Sequence, residues 1–227
     1  FTASDSEVQS LCGKILKHVD AAKPLRVLDI GCGTGKLLFA LAEKINRGHF
    51  TGIDISSPNI EAARQTADKN RFDFISADYL QWKPGSYDLI VASSTLQHLE
   101  AQAEIIFEKI ARSLVEEGVF VNNMPYDCFY NKIHYGFRAL LRKMRGPALD
   151  RLLEFVSNIL HRGQMKEALL KERLFYLYTL PKNLDGKAAR QFLRLQGLPW
   201  ISEYHEPLRT LGRPKHKTTI YKKKEIS

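Results

Sequence analysis

Val27-Leu28-Asp29-Ile30-Gly31-Cys32-Gly33-Thr34-Gly35 is the stretch that decides the fold. Leu25, Val27, Leu28 and Ile30 form a short, mostly apolar run, the pattern of a strand buried on both faces. Glycines at alternate positions then let the backbone turn sharply and approach a ligand closely. A helix is predicted from Lys36 to about Ile45, its N-terminal N–H groups aimed at whatever rests on the turn. A second strand, Phe50 to Ile53, ends in Asp54, 19 residues beyond Gly35. A nucleotide-binding βαβ unit places the carboxylate that holds ribose hydroxyls at about that distance.

The glycine spacing separates two ligand classes. A dinucleotide fingerprint reads G-x-G-x-x-G, with the third glycine set for helix packing beside a pyrophosphate. Here the spacing is G-x-G-x-G, and Asp29 stands at the strand end. An acid beside the turn suits a ligand with a positive group and repels a pyrophosphate. The run D-I-G-C-G-T-G resembles motif I of the class I S-adenosylmethionine (SAM) dependent methyltransferases. Gly52-Ile53-Asp54-Ile55-Ser56 resembles that family's second motif and Ala77-Asp78 its third, in the family's order and spacing. The resemblance covers residues 25 to 125 well and the remainder loosely.

It implies an α/β fold, a three-layer Rossmann-like sandwich. Its seven-stranded sheet is mostly parallel with the last strand antiparallel, and a helical lid is inserted. It also implies SAM as cofactor. Gly31, Gly33 and Gly35 would then admit the amino acid end of SAM, and Asp29 would help anchor its ammonium. Asp54 would take the ribose hydroxyls and Asp78 the adenine amine. Ile55, Tyr79 and Leu80 would sandwich the ring, and Cys32 and Ser93 complete the cofactor set.

Composition bounds the rest. The 227 residues fit one elaborated domain spanning 1–227, and 44% hydrophobic content allows a sizeable core. No apolar run approaches the ~18 residues that cross a bilayer. No signal peptide is evident, although the chain starts at Phe1 rather than Met. Cys12, Cys32 and Cys128 are odd in number and scattered, which argues against a disulfide framework or a zinc site and favours a reducing cytoplasm. The net charge of +9 is uneven. Residues 1–125 carry 13 basic and 16 acidic side chains, residues 126–227 carry 21 and 9. That basic half suits an acidic partner, an anionic membrane surface or nucleic acid, or is simply a solvated surface.

Along the chain, Val8, Leu11, Ile15 and Val19 mark an amphipathic helix over 4–19, capped by Ser4 or Ser6. It reads as a packing helix, and the resemblance implies a further role for it, folding over the cofactor. Ser57 and Pro58 start a helix running to about Lys69, and Phe72 to Ala77 is the third strand. Tyr87 to Ser93 is the fourth, Ala101 to Leu114 a helix, and Val119 to Met124 the fifth strand. This alternation predicts a mostly parallel sheet. Residues 127–172 break the rhythm with two apolar stripes, parted at Gly146-Pro147, and a third helix from Gln164 to Arg173. They read as a helical cap, and the basic first helix also permits a membrane-surface role. The last helix spans Asp185 to Leu195, and Trp200–Leu208 and Lys217–Tyr221 form an antiparallel pair. Lys222 to Lys224 reads as a solvated tail.

Ligands bind at the carboxyl edge of open α/β sheets, which puts Ser93, Ser94, Gln97 and His98 near the reaction centre. His98 is the candidate general base or substrate-orienting group, or else a structural histidine. Gln97, Tyr126, Tyr130, His134 and Tyr135 mark the acceptor side. A carboxylate acceptor needs no base at pH 7; a hydroxyl or amine does. The resemblance is closest to malonyl-carrier-protein and trans-aconitate methyltransferases, which implies a small or acyl-carrier-bound acceptor methylated on oxygen. The N-P-P-Y type motif of nucleic-acid amine methyltransferases is absent after the fourth strand. An RNA methyltransferase or RNA binder, and a membrane-associated lipid or quinone methyltransferase, are the alternatives.

Overall fold

The computed structural model describes residues 4–160, 184, 186–206 and 213–224. Helix α1 (Asp5–Ile15) opens on Ser4, whose side chain and Glu7 form a reciprocal capping box. Strand β1 (Leu25–Ile30) leads through the glycine turn into α2 (Lys36–Ala42). Strand β2 (Gly48–Asp54), α3 (Ser57–Thr66) and β3 (Phe72–Ser76) complete the first half. Strand β4 (Tyr87–Ser93), a single 3-10 turn (Leu96–His98), α4 (Ala103–Ser113) and β5 (Leu114–Pro125) follow. Helices α5 (Phe129–Lys143) and α6 (Pro147–Leu160) come next. Helix α7 (Lys187–Leu195) and strands β6 (Trp200–His205) and β7 (His216–Lys222) end the fold.

The strands form one sheet in the order β3-β2-β1-β4-β5-β7-β6. Strands β1 to β5 pair in parallel, and β7 runs antiparallel to both β5 and β6. The order reverses between β1 and β4, so the connections that leave their carboxyl ends diverge and leave a crevice there. Alternation along the strands splits the core into two layers. Val27, Leu89, Val91 and Val121 pack with α1 and α2 residues such as Ile15, Leu38 and Leu41. Leu28, Ile30, Ile90 and Phe120 pack with Phe107 and Ile110 of α4 and Leu193 of α7.

Several boundaries move from the sequence expectation. Helix α2 stops at Ala42, yet Ile45 is fully buried, so the apolar spacing marked burial beyond the helix end. Ser56 rather than Ser57 is the N-cap of α3. Tyr87 pairs with Leu114 and Leu89 with Val119, so β5 bulges between them, with Glu117 at φ 63°. The expected helix from Gln164 to Arg173 lies outside the described residues, as do residues 180–183 and 185 and the end of the expected strand at Leu208.

Lys222 to Lys224 is not a solvated tail. Lys223 Nζ donates to the carbonyls of Ala111 (3.0 Å) and Leu114 (2.6 Å), tying β7 to the end of α4. Lys222 pairs with Glu117 at 2.6 Å, and the Lys224 N–H donates to Gly197 O at 2.8 Å. All three cysteines are free thiols. Among the described residues no helix is long and apolar enough to cross a membrane.

Candidate active site

The glycine turn is held from β2. The N–H groups of Gly31 and Cys32 donate to Ile53 O at 2.7 and 3.1 Å, and Gly33 N–H donates to Asp54 Oδ2 at 2.8 Å. Gly31, Gly33 and Gly35 all have φ between 54° and 78°. Two of these glycines answer to packing. A Cβ on Gly31 would lie 2.1 Å from Thr95 Oγ1, and one on Gly35 would lie 2.7 Å from the Phe74 ring. A Cβ on Gly33 would meet nothing within 4 Å, so the open floor of the turn is at Gly33.

Asp54 bridges the turn and α3. Its Oδ1 accepts from Ser56 N–H at 2.8 Å while Oδ2 holds Gly33. Each carboxylate oxygen keeps a second lone pair for a ligand hydroxyl. Ala77 N–H donates to Asp54 O at 3.0 Å, which sets Asp78 beside Asp54 on the next strand end. Asp78 Oδ1 accepts from Leu80 N–H at 2.9 Å. Lys109 Nζ reaches from α4 to the carbonyls of Tyr79, Leu80 and Trp82 at 2.6, 2.9 and 2.5 Å, and so holds the loop behind Asp78. Ile55 is 78% exposed beside Asp54, an apolar wall standing in solvent.

Asp29 is 3% exposed. Burial, and then the neighbouring Asp54 carboxylate, raise its pKa to about 7. It shares the face of β1 that α1 and α2 cover.

One expected cofactor contact is corrected and another is narrowed to the backbone. The Tyr79 side chain is 3% exposed, packed in the α4 layer under Lys109 at 4.8 Å, so its ring cannot sandwich a base. The Cys32 thiol is buried, its sulfur 2.7 Å from where a Cβ on Gly52 would stand. Burial, then Asp29 and Asp54, push it far above the usual thiol value, leaving only the backbone of Cys32 on the turn.

On the acceptor side, Gln97 and His98 lie in the 3-10 turn after β4, with Gln97 Nε2 3.4 Å from His98 Nε2. Burial, then the Arg138 guanidinium, hold His98 below the usual histidine value. Arg138 comes from α5, with Tyr135 beside it. Gln97 Oε1, the Tyr135 hydroxyl and Arg138 Nε are buried without a hydrogen-bond partner among the described residues. Such orphaned polar atoms are costly unless a ligand meets them. Tyr130 stacks on His134 at 6.3 Å further along α5. Tyr126 does not join this group: its ring lies edge-on to His205 at 4.8 Å and under Lys217, on the β6–β7 side.

Asn131, Thr95 and His216, not singled out in the sequence, complete the site. Asn131 is 1% exposed and clamps α5 to the sheet edge. Its Nδ2 donates to Tyr126 O and Lys215 O at 2.7 and 2.8 Å, and its Oδ1 accepts from Lys215 N–H at 2.7 Å. Ser93 O accepts from the Thr95 hydroxyl at 3.1 Å, which seats Thr95 against Gly31. Ser94 follows, with Oγ 3.1 Å from His216 Nε2. Only the pairing of β5 with β7 brings His216 there, so the one available sequence signal was a histidine opening the last strand.

The chain is similar in sequence to known relatives and in fold to solved structures. The chain is 26% identical over 159 residues to the malonyl-acyl-carrier-protein O-methyltransferase of Geobacter sulfurreducens, covering 69% of this chain and 58% of that protein. It is 26% identical over 169 residues to the trans-aconitate 2-methyltransferase of Acidovorax, covering 74% and 60%. The chain thus spans about three fifths of the length of these curated relatives. The magnesium protoporphyrin IX methyltransferase of Synechocystis, crystallised with S-adenosylhomocysteine (SAH), superposes with a TM-score of 0.62 at 17% identity, covering 96% of this chain and 82% of that one. The N-methyltransferase NodS of Bradyrhizobium japonicum with SAH gives 0.60 at 14%, covering 96% and 87%. These likenesses establish the Rossmann-like methyltransferase fold. Residues 21–162, more than half of the chain, match the model of a methyltransferase domain family, and the chain belongs to that family.

Proposed function

We propose that the chain, acting as a single methyltransferase domain, binds SAM across the glycine turn. It then moves the methyl group to an oxygen of a small or carrier-bound acceptor beneath α5 and α6, which serve as a cap. The observation that carries this reading is the open floor at Gly33 flanked by Asp54 and Asp78 on adjacent strand ends. These residues fit a nucleoside with a cationic arm. Asp54 has lone pairs for ribose hydroxyls, Asp78 has a second oxygen for the adenine amine, Ile55 supplies an apolar wall, and Asp29 faces the ammonium.

The bound cofactor supplies a methyl group on a sulfonium, already a good leaving group. The residues of the chain therefore align the acceptor and exclude water. The Arg138 guanidinium, whose Nε has no hydrogen-bond partner among the described residues, would with Tyr135 and Gln97 hold an anionic group of the acceptor. The relative named as an O-methyltransferase supports oxygen as the receiving atom. Calorimetric titration with SAM tests the reading. Micromolar affinity, lost in Asp54→Ala, is expected; absent binding, or a variant that binds as tightly, refutes it.

A second reading, a lipophilic acceptor taken at an anionic lipid surface, is favoured by one feature of the cap. Phe129, Ile133, Phe137, Leu140 and Met144 run along α5, each more than half exposed. Exposed Arg142 and Lys143 flank this stripe. Flotation with phosphatidylglycerol vesicles supports it, and a protein that stays at the bottom of the gradient dismisses it.

A further inference from the structure

Ser94 is held in a conformation that a side chain disfavours. Its φ is 57°, in the left-handed region. The N–H of Ser94 donates to Asn123 O at 2.7 Å, and Thr95 beside it is wedged against Gly31. Strain of this kind persists only where the surroundings enforce it, and it concentrates at functional sites. Here it sets Ser94 Oγ 3.1 Å from His216 Nε2, one residue before the side chain that packs on the glycine turn.

The His216 ring is fixed from its other side. Nδ1 lies 2.9 Å from Pro214 O, and a carbonyl only accepts, so Nδ1 carries the hydrogen. In the neutral ring Nε2 then has a free lone pair, and the Ser94 hydroxyl donates to it. A hydroxyl engaged in this way leaves its own oxygen open to a second donor. Ser94 is only partly buried, so that donor can come from the cleft.

Resting on the methyl-transfer reading above, we propose that Ser94 and His216 form a proton relay, and that the acceptor of this site is therefore an alcohol or phenol rather than a carboxylate. The acceptor oxygen bonds to the methyl carbon, and the carbon–sulfur bonding pair stays on sulfur, leaving a neutral thioether. The acceptor's proton passes to Ser94 Oγ as the Ser94 proton passes to His216 Nε2. One positive charge leaves sulfur and one appears on the imidazole, which later loses its proton to water. Ser94 is the catalytic residue, touching the acceptor; His216 is a positioning residue that acts through it.

The charged groups around His216 suit a transient imidazolium. Glu206 follows β6, Glu7 comes from α1, and Arg213 precedes β7. Glu206 is paired with Lys14, and Arg213 stands 3.7 Å from Glu7. Burial holds the ring below the ordinary histidine value, against the pull of the Pro214 carbonyl, Glu206 and Glu7, with Arg213 adding to the depression. With Nδ1 committed to Pro214 O, Nε2 is the acceptor that the neutral ring presents to Ser94.

The test uses the full chain, SAM labelled with carbon-13 in the methyl group, and the small-molecule fraction of a bacterial lysate as acceptor pool. Methyl ethers survive mild alkali, methyl esters are cleaved to methanol, and N-methyl carbons resonate apart from both. Ser94→Gly removes the hydroxyl while tolerating the positive φ, and His216→Gln cannot take up a proton. Methyl ethers are expected. Transfer should fall by roughly a hundredfold in each variant, with SAM affinity by calorimetry unchanged. The wild-type rate should decline as pH drops through the pKa that imidazole nitrogen NMR assigns to His216. Ser94→Gly should shift that NMR titration and abolish the decline. Alkali-labile esters, N-methyl products, a rate insensitive to Ser94→Gly, a flat pH profile, an Nε2–H tautomer, or no transfer by a chain that binds SAM each overturn the relay. Failure of the wild type to bind SAM overturns the relay and the methyl-transfer reading together.

Discussion

Replacing Asp29 by Asn probes the electrostatics of the glycine turn without touching its shape. Asp29 lies in the middle of the sheet, paired with Gly52 on one side and Val91 on the other. Burial first, and Asp54 second, lift its pKa from 3.8 to about 7. A shift of about three units corresponds to about 4 kcal/mol. The folded pKa is raised, so the unfolded chain loses this proton near pH 4 while the folded chain keeps it to about pH 7. The stabilisation is therefore fully present below the unfolded value and is lost as pH rises through the folded one. Asn carries no charge at any of these values, and groups remote from the turn titrate alike in both proteins. The stability gap should thus move in favour of Asp29→Asn by up to about 4 kcal/mol between about pH 4 and about pH 8. Urea unfolding followed by circular dichroism, at several pH values across that window, measures the gap directly. A gap that stays constant would show that Asp29 is ionised throughout, and the electrostatic account of the turn would fail. A second arm uses the cofactor. A cationic ammonium beside Asp29 favours its ionised form, so SAM binding at pH 7 should release about half a proton, and none from this position in Asp29→Asn. Calorimetry in buffers of different ionisation enthalpy reads that number.

Two of the three glycines of the turn, Gly31 and Gly33, should respond differently to alanine. Gly33→Ala meets no neighbour and should cost only about 1–2 kcal/mol for its positive φ, yet weaken SAM because its methyl covers the open floor. Gly31→Ala collides with Thr95 and should cost about 3 kcal/mol or more in thermal unfolding; equal losses in the two variants would contradict the assignment. Lys109→Met keeps the aliphatic stem but strands three carbonyls, so it should cost about 3 kcal/mol and loosen the Asp78 loop. A denaturation midpoint that does not move would show that the three hydrogen bonds contribute nothing. Asn131→Ala should remove about 2–3 kcal/mol of local stability and speed amide exchange along α5, while exchange in β1 and β4 stays slow. Equal protection of α5 in both proteins would mean that the clamp does not hold the cap.

The parts of the fold that rest on short-range chemistry were legible in the sequence. Strand β4 spans Tyr87–Ser93 as its apolar run predicts, and the turn glycines take the positive φ that their spacing demands. Asp54 ends β2 and Asp78 follows β3, where a strand–turn–helix pattern puts them. What the sequence withheld is which way a side chain faces and what meets it. Tyr79 sits next to Asp78 in the chain, but the loop turns its ring into the α4 layer. Arg138 reads as one more basic residue on an amphipathic helix; in the structure its Nε is buried beside His98 with no hydrogen-bond partner among the described residues. His216 joins Ser94 only through the antiparallel pairing of β7 with β5, a contact that no local pattern encodes. Lys223 looked like a tail because its carbonyl partners lie in a helix end more than a hundred residues earlier.

The charge split between the two halves of the chain gains a meaning once the strands are in place. The acidic half supplies Asp29, Asp54 and Asp78, all at the carboxyl ends of β1, β2 and β3. The basic half supplies Arg138, from the helix that leaves the carboxyl end of β5. The cleft is thereby polarised along the sheet edge, negative under the proposed donor and positive over the proposed acceptor. A sulfonium is cationic, and Arg138 Nε has no hydrogen-bond partner among the described residues, so a bound donor without an acceptor leaves two uncompensated positive charges in the proposed site. An acceptor that brings an anionic group to Arg138 relieves both, and the low dielectric of a closed cap strengthens that relief. The opposed charges therefore favour one molecule over its neutral analogues before any bond changes. In this arrangement selectivity lies in filling the cleft, and the relay at Ser94 acts only on what has already been admitted.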